Sequence, residues 1–256
     1  MAGLSKAELS HAELIDWIRL ASSPGIGAKS FCQLRHRFGA ASEVIAHQAD
    51  WGGRLRGTEI PAPAVAEQEF AAATKLGLQY VRYTDPYYPQ PLAALDDAPP
   101  LLTVKGRVET LSTPLVAIVG ARNATVNGRK FAKVLAADLA KAGYGVISGM
   151  ARGIDGAAHE GALTAGTTVA VLAGGVDVIY PPEHRDLYDR IAEAGAVVSE
   201  MPPGTEPQAA LFPRRNRIIS GASRGVVVVE ATPRSGSLIT ARFAAEQGRD
   251  VFAVPG

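Results

Sequence analysis

The stretch from Leu115 to Gly128 limits what this chain can fold into more than any other. An apolar run, Leu115-Val116-Ala117-Ile118-Val119, breaks into Gly120-Ala121-Arg122 and a polar turn through Asn123, Thr125 and Asn127. Phe131, Val134, Leu135, Leu139 and Ala142 then keep near-helical spacing. Strand, glycine turn and helix in that order open a doubly wound α/β domain, whose turn and helix N-terminus hold an anion. A dinucleotide-binding turn would keep glycine where Arg122 stands, so that backbone could approach a pyrophosphate. Here a side-chain cation has been added.

The layout repeats downstream. Strand candidates fall at Val116–Val119, Val146–Ser148, Val169–Leu172, Val197–Glu200, Val226–Glu230 and Val251–Val254, with helical stretches in every interval. Runs such as Val226-Val227-Val228-Val229 are apolar on both faces, which predicts a mostly parallel sheet covered on both sides. With 256 residues, 47% of them hydrophobic, the chain can bury such a core and hold a second domain as well.

Upstream, Leu14, Trp17, Ile18 and Ala21 mark a first helix that Ser22-Ser23-Pro24 stops, and Phe31, Leu34 and Phe38 mark a second that ends at Gly39. The Pro24-Gly25-Ile26-Gly27 turn between them resembles a helix-hairpin-helix. From Ile26 to Phe38 there are Lys29, Arg35 and Arg37 and no acid, which suits contact with phosphates. The glycines equally suit a plain tight turn. After a loop over Asp50–Pro63 comes a helix from about Ala64 to Leu76, then strands over Leu78–Tyr83 and Pro99–Gly106. The prolines in Asp85–Leu92 exclude helix there. The expected organisation is a small all-helical domain of SAM or helix-hairpin-helix type over residues 1–76 and the α/β domain over 77–256.

Net charge is only +1, so any nucleic-acid surface must be a local concentration of Lys and Arg. A single cysteine, Cys32, rules out an internal disulfide framework and suits a reducing compartment. The N-terminus lacks a hydrophobic signal core and no apolar run reaches membrane-spanning length, so a soluble cytoplasmic protein without membrane contact is expected.

Ligands of such sheets sit at the carboxyl ends of the strands. The loops there are Gly120-Ala121-Arg122, Ser148-Gly149-Met150-Ala151-Arg152-Gly153-Ile154-Asp155, Ala173-Gly174-Gly175-Val176-Asp177, Glu200 to Arg217, and Glu230-Ala231-Thr232-Pro233-Arg234-Ser235-Gly236-Ser237. Glycine and arginine recur together on one edge, as in a groove that follows a phosphate backbone.

These blocks resemble the DNA-processing protein A family, also called DprA or Smf. The matching stretches are Val119-Gly120-Ala121-Arg122, Ser148 to Asp155 with Ala158-His159, Gly174-Gly175 with Tyr180-Pro181, Phe212-Pro213-Arg214-Arg215-Asn216-Arg217-Ile218-Ile219-Ser220, Ser235-Gly236-Ser237-Leu238-Ile239-Thr240 and Val254-Pro255-Gly256. The resemblance implies an extended Rossmann fold and a homodimer that binds single-stranded DNA, protects it during natural transformation and helps load the RecA recombinase. Members often carry a winged-helix-like domain after the last block; the sequence stops at Gly256, so that domain is not expected within residues 1–256.

The DNA-binding candidates are therefore Gly120, Arg122, Gly149, Arg152, Gly153, Gly174, Gly175, Arg214, Arg215, Asn216, Arg217, Ser235 and Gly236. Asp155 is expected as a helix N-cap, His159 as a packed residue and Ser235–Ser237 as a cap or phosphate site. Tyr180 offers either an aromatic face to a base or a core ring. Pro213 suits a first helical position; Arg214, Arg215 and Arg217 then crowd the positive end of a helix, with no acid from Leu211 to Val229. A polyanion shared with Arg122 and Arg152 would complete that helix, unless a distant acid pairs with it. Arg217→Ala is accordingly expected to fold and to weaken DNA binding.

The competing reading is enzymatic, a LOG-type nucleoside-monophosphate phosphoribohydrolase, or else a nucleotide-binding module. The hydrolase signature, Pro-Gly-Gly-x-Gly-Thr with a catalytic glutamate, is not met by Ser235-Gly236-Ser237-Leu238-Ile239-Thr240. Glu200 and Glu230 end strands without a matched acid or base. No catalytic residue, metal cluster or cofactor motif is expected.

Overall fold

The computed structural model describes residues 11–233 and 235–255. It divides into two compact units, Met1–Ala72 and Ala73–Gly256. Helices α1 (His11–Ala21), α2 (Ala28–Phe38) and α3 (Ala41–Ala46) precede α4 (Pro63–Lys75). In the first unit Trp17, Ile18, Phe31 and Val44 are buried together with Trp51. Gly25, at φ 84°, turns the chain between α1 and α2.

The second unit is an α/β domain. It runs β1 (Gln79–Arg82), α5 (Gln90–Ala93), β2 (Leu101–Gly106), β3 (Leu115–Val119), α6 (Val126–Lys141), β4 (Gly145–Ser148), α7 (Ile154–Ala162) and β5 (Thr168–Val171). Then come α8 (Arg185–Ala194), β6 (Ala196–Ser199), α9 (Leu211–Ala222), β7 (Ser223–Val228), α10 (Ser237–Glu246) and β8 (Asp250–Ala253). The eight strands lie in the order β1-β2-β6-β5-β4-β3-β7-β8. The six from β6 to β8 are mutually parallel, and β1 and β2 extend the sheet antiparallel on β6.

Alternate residues of the parallel strands feed two cores. Ala117, Val119, Val226 and Val228 pack with Ile218, Ile219 and Ala222 of α9 on one face. Ile118, Val146 and Val229 pack with α6 and α7 on the other. The chain leaves β3 toward β4 on one side and returns to β7 on its other side. That reversal opens a crevice at the carboxyl end of β3.

Three local expectations are corrected. Gln90–Ala93 forms one helical turn although Pro91 lies in it, because an N–H is not required at a helix's first positions. Helix α9 begins at Leu211, so Pro213 is its third residue rather than its first, still ahead of the first obligatory N–H. On α6 the buried stripe is Ala132, Ala136 and Ala140, while Phe131 and Val134 are 45% and 53% exposed. Close approach of α7 explains the alanines: a Cβ on Gly161 would overlap the Lys133 carbonyl.

Candidate nucleic-acid interface

The crevice is an open cleft of about 860 Å³, lined by the loops after β3 and β4 and by the first turns of α9 and α10. At its rim Arg122 is exposed, and its guanidinium meets no carboxylate among the described residues. It lies instead over the Phe212 ring, 5.3 Å from the centroid. Tyr180, 43% exposed, meets the same ring edge-on with centroids 5.6 Å apart. The cleft therefore joins a cation with two aromatic rings.

Glycine builds the first two loops by close packing. A Cβ on Gly120 would come 2.5 Å from Ile154, and one on Gly153, at φ 76°, would overlap the Ala121 carbonyl. The loops after β3 and β4 are thus locked edge to edge.

Arg215 lies beneath them, buried. Its Nη1 donates to the Gly149 carbonyl at 2.6 Å and to the Val171 carbonyl, and its Nε donates to Asn216 Oδ1 at 3.1 Å. Gly149 leaves room for this guanidinium, which a Cβ would overlap. Asn216 Nδ2 in turn donates to the Gly236 carbonyl at 3.3 Å. Two adjacent residues of α9 thereby hold the ends of β4 and β5 and the start of α10. Burial lowers the Arg215 pKa to about 10, opposed by the Asp155 charge.

Asp155 is not the N-cap of α7; Gly153 holds that position. The Asp155 carboxylate folds back to accept from Gly149 N at 3.2 Å and Ala151 N at 3.4 Å. Burial raises its pKa, and Arg215 and these two N–H groups oppose that shift. His159 is fully buried, as its helix position predicted. Thr168 Oγ1 donates to the Val146 carbonyl at 2.7 Å, so it accepts from His159 Nδ1–H at 2.7 Å. That fixes the Nδ1–H tautomer. Desolvation, then His184, then Arg215, lower the His159 pKa to about 3.

Several sequence candidates stand elsewhere. Glu200 takes both Arg214, Nε to Oε1 at 2.5 Å, and Arg217, whose Nη1 also reaches the Asp97 carbonyl at 2.5 Å. The distant acid exists, so α9 is not assembled against its own electrostatics, and Arg217 does not share an anion with Arg122. Burial raises the Glu200 pKa, opposed by Arg217 and Arg214. Arg152 pairs with Glu183. Gly174 and Gly175 are buried under the Pro202–Pro207 segment, where Cβ atoms would come 2.5 Å from the Thr205 carbonyl and 2.7 Å from Asp177.

The N-terminus of α6, expected to hold a ligand anion, holds Glu230. Its carboxylate accepts from Thr125 N at 3.1 Å and Thr125 Oγ1 at 3.0 Å. Glu230 itself has φ 135°, a strained conformation costing on the order of 1–3 kcal/mol. The N-terminus of α10 is left open: Gly236 is its N-cap, no side chain caps it, and Ser235 and Ser237 bond one another at 2.8 Å.

Of the candidates, Gly120, Arg122, Arg215, Asn216, Ser235 and Gly236 line the cleft. Gly149 and Gly153 support it, while Arg152, Gly174, Gly175, Arg214 and Arg217 lie off it. Arg234 falls outside the described residues. Sequence reasoning missed Phe212 as a site residue, although an aromatic directly ahead of Pro213-Arg214-Arg215 was visible. It also missed the cap that Glu230 makes, for which sequence gives no signal.

Comparison with known proteins gives the chain's family and fold relatives. The family model described as DNA recombination-mediator protein A matches residues 79–256, and that of a DprA-like N-terminal HHH domain matches residues 11–72. Protein Smf of Escherichia coli is 48% identical over 172 residues, 66% of this chain and 46% of that protein. DNA processing protein DprA of Bacillus subtilis is 44% identical over 188 residues, 73% of this chain and 63% of that protein. The chain thus spans about half to two thirds of the length of these relatives. The crystal structure of DprA from Streptococcus pneumoniae superposes with a TM-score of 0.78 at 36% identity, covering 95% of this chain and 86% of that one. DprA from Helicobacter pylori, described for its single-stranded DNA binding mode, gives a TM-score of 0.64 at 32% identity over 70% of this chain and 81% of its own.

Proposed function

This chain belongs to the DNA recombination-mediator protein A family, and from that premise we propose that its cleft binds single-stranded DNA. One observation carries the reading most directly: Arg122 and Phe212 share one open rim. A cation beside an aromatic face suits a phosphate and an unstacked base together, a combination that tolerates any sequence. Duplex keeps its bases stacked and offers the ring nothing. The Helicobacter pylori relative's single-stranded DNA binding supports the same assignment.

The protein acts as a binder and mediator, not as a hydrolase. The two acids weighed for catalysis are engaged elsewhere, Glu200 by two arginines and Glu230 by the start of α6. Its cellular role is to protect incoming strands in the cytoplasm during transformation and to pass them, as a homodimer, to the RecA recombinase. The family's description as a recombination mediator supports this.

The test is a titration of labelled oligonucleotides, single- against double-stranded, at several salt concentrations. Preference for the single strand with affinity falling steeply in salt is expected; preference for duplex, or indifference to salt, overturns the reading. Light scattering at micromolar protein checks the dimer, and RecA filament formation on protected strands checks the hand-over.

A further inference from the structure

We propose that His184 is a positioning residue of the single-strand site: its imidazole holds the Tyr180 ring at the edge of Phe212, where Tyr180 serves as a platform for an unstacked base. The inference rests on the cleft binding single-stranded DNA. Tyr180 lies in the connection between β5 and α8, ahead of a single turn over Pro182–His184. A ring on such a connection needs an anchor, because ordering a mobile side chain on binding costs affinity. Upstream, Tyr188 Oη donates to the Val176 carbonyl at 2.6 Å and Gly204 N to Asp177 Oδ1 at 2.9 Å. Downstream, Pro181 and Pro182 restrict the backbone, and His184 N donates to the Pro181 carbonyl at 3.0 Å. Fixing His184 therefore fixes Tyr180, which stands just before that turn.

The loop between β4 and α7 is shaped to receive that histidine. His184 is half-buried, and its Nδ1–H donates to the Met150 carbonyl at 3.0 Å. Met150, itself fully buried, holds φ 55°, a left-handed conformation that non-glycine residues rarely take. Gly156 gives the ring its room, since a Cβ there would come 3.0 Å from His184 Cε1. The preceding carbonyl of the same loop, that of Gly149, accepts from Arg215, one turn after Phe212 on α9. Consecutive carbonyls thus hold the two rings: Gly149 through Arg215 for Phe212, and Met150 through His184 for Tyr180. That shared frame accounts for the edge-on approach of the rings, with centroids 5.6 Å apart. The other tie between these loops, Arg152 with Glu183, joins side chains 62% and 46% exposed and adds little. Tyr180, 43% exposed, brings a second ring face to the rim, and stacking on it accepts any base.

The test is a double-mutant cycle read by fluorescence anisotropy with labelled single-stranded oligothymidylate at several salt concentrations. Urea denaturation on the same samples reports folding. Tyr180→Ala should raise the dissociation constant about tenfold or more, and His184→Ala about fivefold. In the Tyr180→Ala background the histidine change should cost nothing further, because it acts through that ring. The salt slope should stay at the parent value, since no phosphate contact is lost. His184→Asn, whose amide N–H falls near the place of Nδ1–H, should bind as the parent does. His184→Gln, whose donor lies one bond further out, should not. A His184→Ala variant that binds like the parent, an equal loss in the Tyr180→Ala background, or a reduced salt slope each overturns the proposal. If His184→Ala does not fold, the asparagine and glutamine variants decide, and equal affinities for the two overturn it. Unfolding of all three also overturns it, since His184 would then be structural. A parent that binds no oligonucleotide sinks the single-strand reading and this inference together; a parent that binds, with the cycle failing, sinks this inference alone.

Discussion

The Arg122 guanidinium rests over the ring of Phe212, 5.3 Å from its centroid, and Tyr180 closes on that ring from the edge at 5.6 Å. The two partners of this pair should fail in different ways. Phe212→Ala should weaken single-strand binding by about 1–3 kcal/mol with the salt dependence unchanged. Arg122→Ala should weaken it and reduce the salt slope by about one. Fluorescence anisotropy at several salt concentrations separates them; identical salt slopes for both variants would show that neither has the assigned role.

Arg217→Ala should destabilise the fold rather than spare it. The Arg217 side chain is 10% exposed and pairs with a Glu200 side chain that is 6% exposed. Removing Arg217 leaves the buried Glu200 carboxylate to Arg214 alone, at a cost of about 1–3 kcal/mol for the lost charged hydrogen bonds. Urea denaturation measures it, and a loss below about 1 kcal/mol would refute the buried-pair reading.

Arg215→Lys keeps the charge but cannot hold the Gly149 and Val171 carbonyls, as Nη1 does, while a second nitrogen donates to Asn216. Each carbonyl left unsatisfied costs about 1–3 kcal/mol. The melting temperature should fall and oligonucleotide binding with it. An unchanged melting point would show that the guanidinium does not hold these loops.

His159 should make stability depend on pH in a defined window. The unfolded side chain takes a proton near pH 6.5, the folded one only near pH 3. Between those values the unfolded state binds more protons, so stability is full above about 6.5 and falls as pH drops, by up to about 1.4 kcal/mol per unit. Asp155 and Glu200, whose pKa values are raised, contribute with the opposite sign. The His159 part is therefore read as the difference between the parent and His159→Gln. As pH falls from 6.5 to about 4.5 the parent should lose stability relative to the variant; parallel curves from about pH 8 to 4.5 would rule the histidine out.

Much of the architecture was legible because it rests on periodic patterns. Six strand candidates separated by helical stretches became six parallel strands; β6 to β7 are buried between two helical layers because their apolar residues lie on both faces, while the edge strand β8 is exposed along its length. The same regularity located the cleft, because loops at strand carboxyl ends share one edge. Position alone put Arg122 and Ser235–Gly236 on that edge, and they line the cleft.

Pairing was not legible. Glu200 and Arg217 are 17 residues apart, and Glu230 and Thr125 are 105 apart. A sequence lists the charges but not which of them the sheet brings within hydrogen-bond reach. Glycine was ambiguous for a related reason: Gly174 and Gly175 read as room for a phosphate, a crossing helix or a plain tight turn, and the chain's own Pro202–Pro207 segment packs against them. The sequence by itself determined the layers, the order of strand and helix and the edge on which loops gather, since hydrophobic period and turn chemistry are local. Only the tertiary structure decided which arginines remain free for a ligand and which helix terminus remains open, because neutralising a charge requires a contact across the fold.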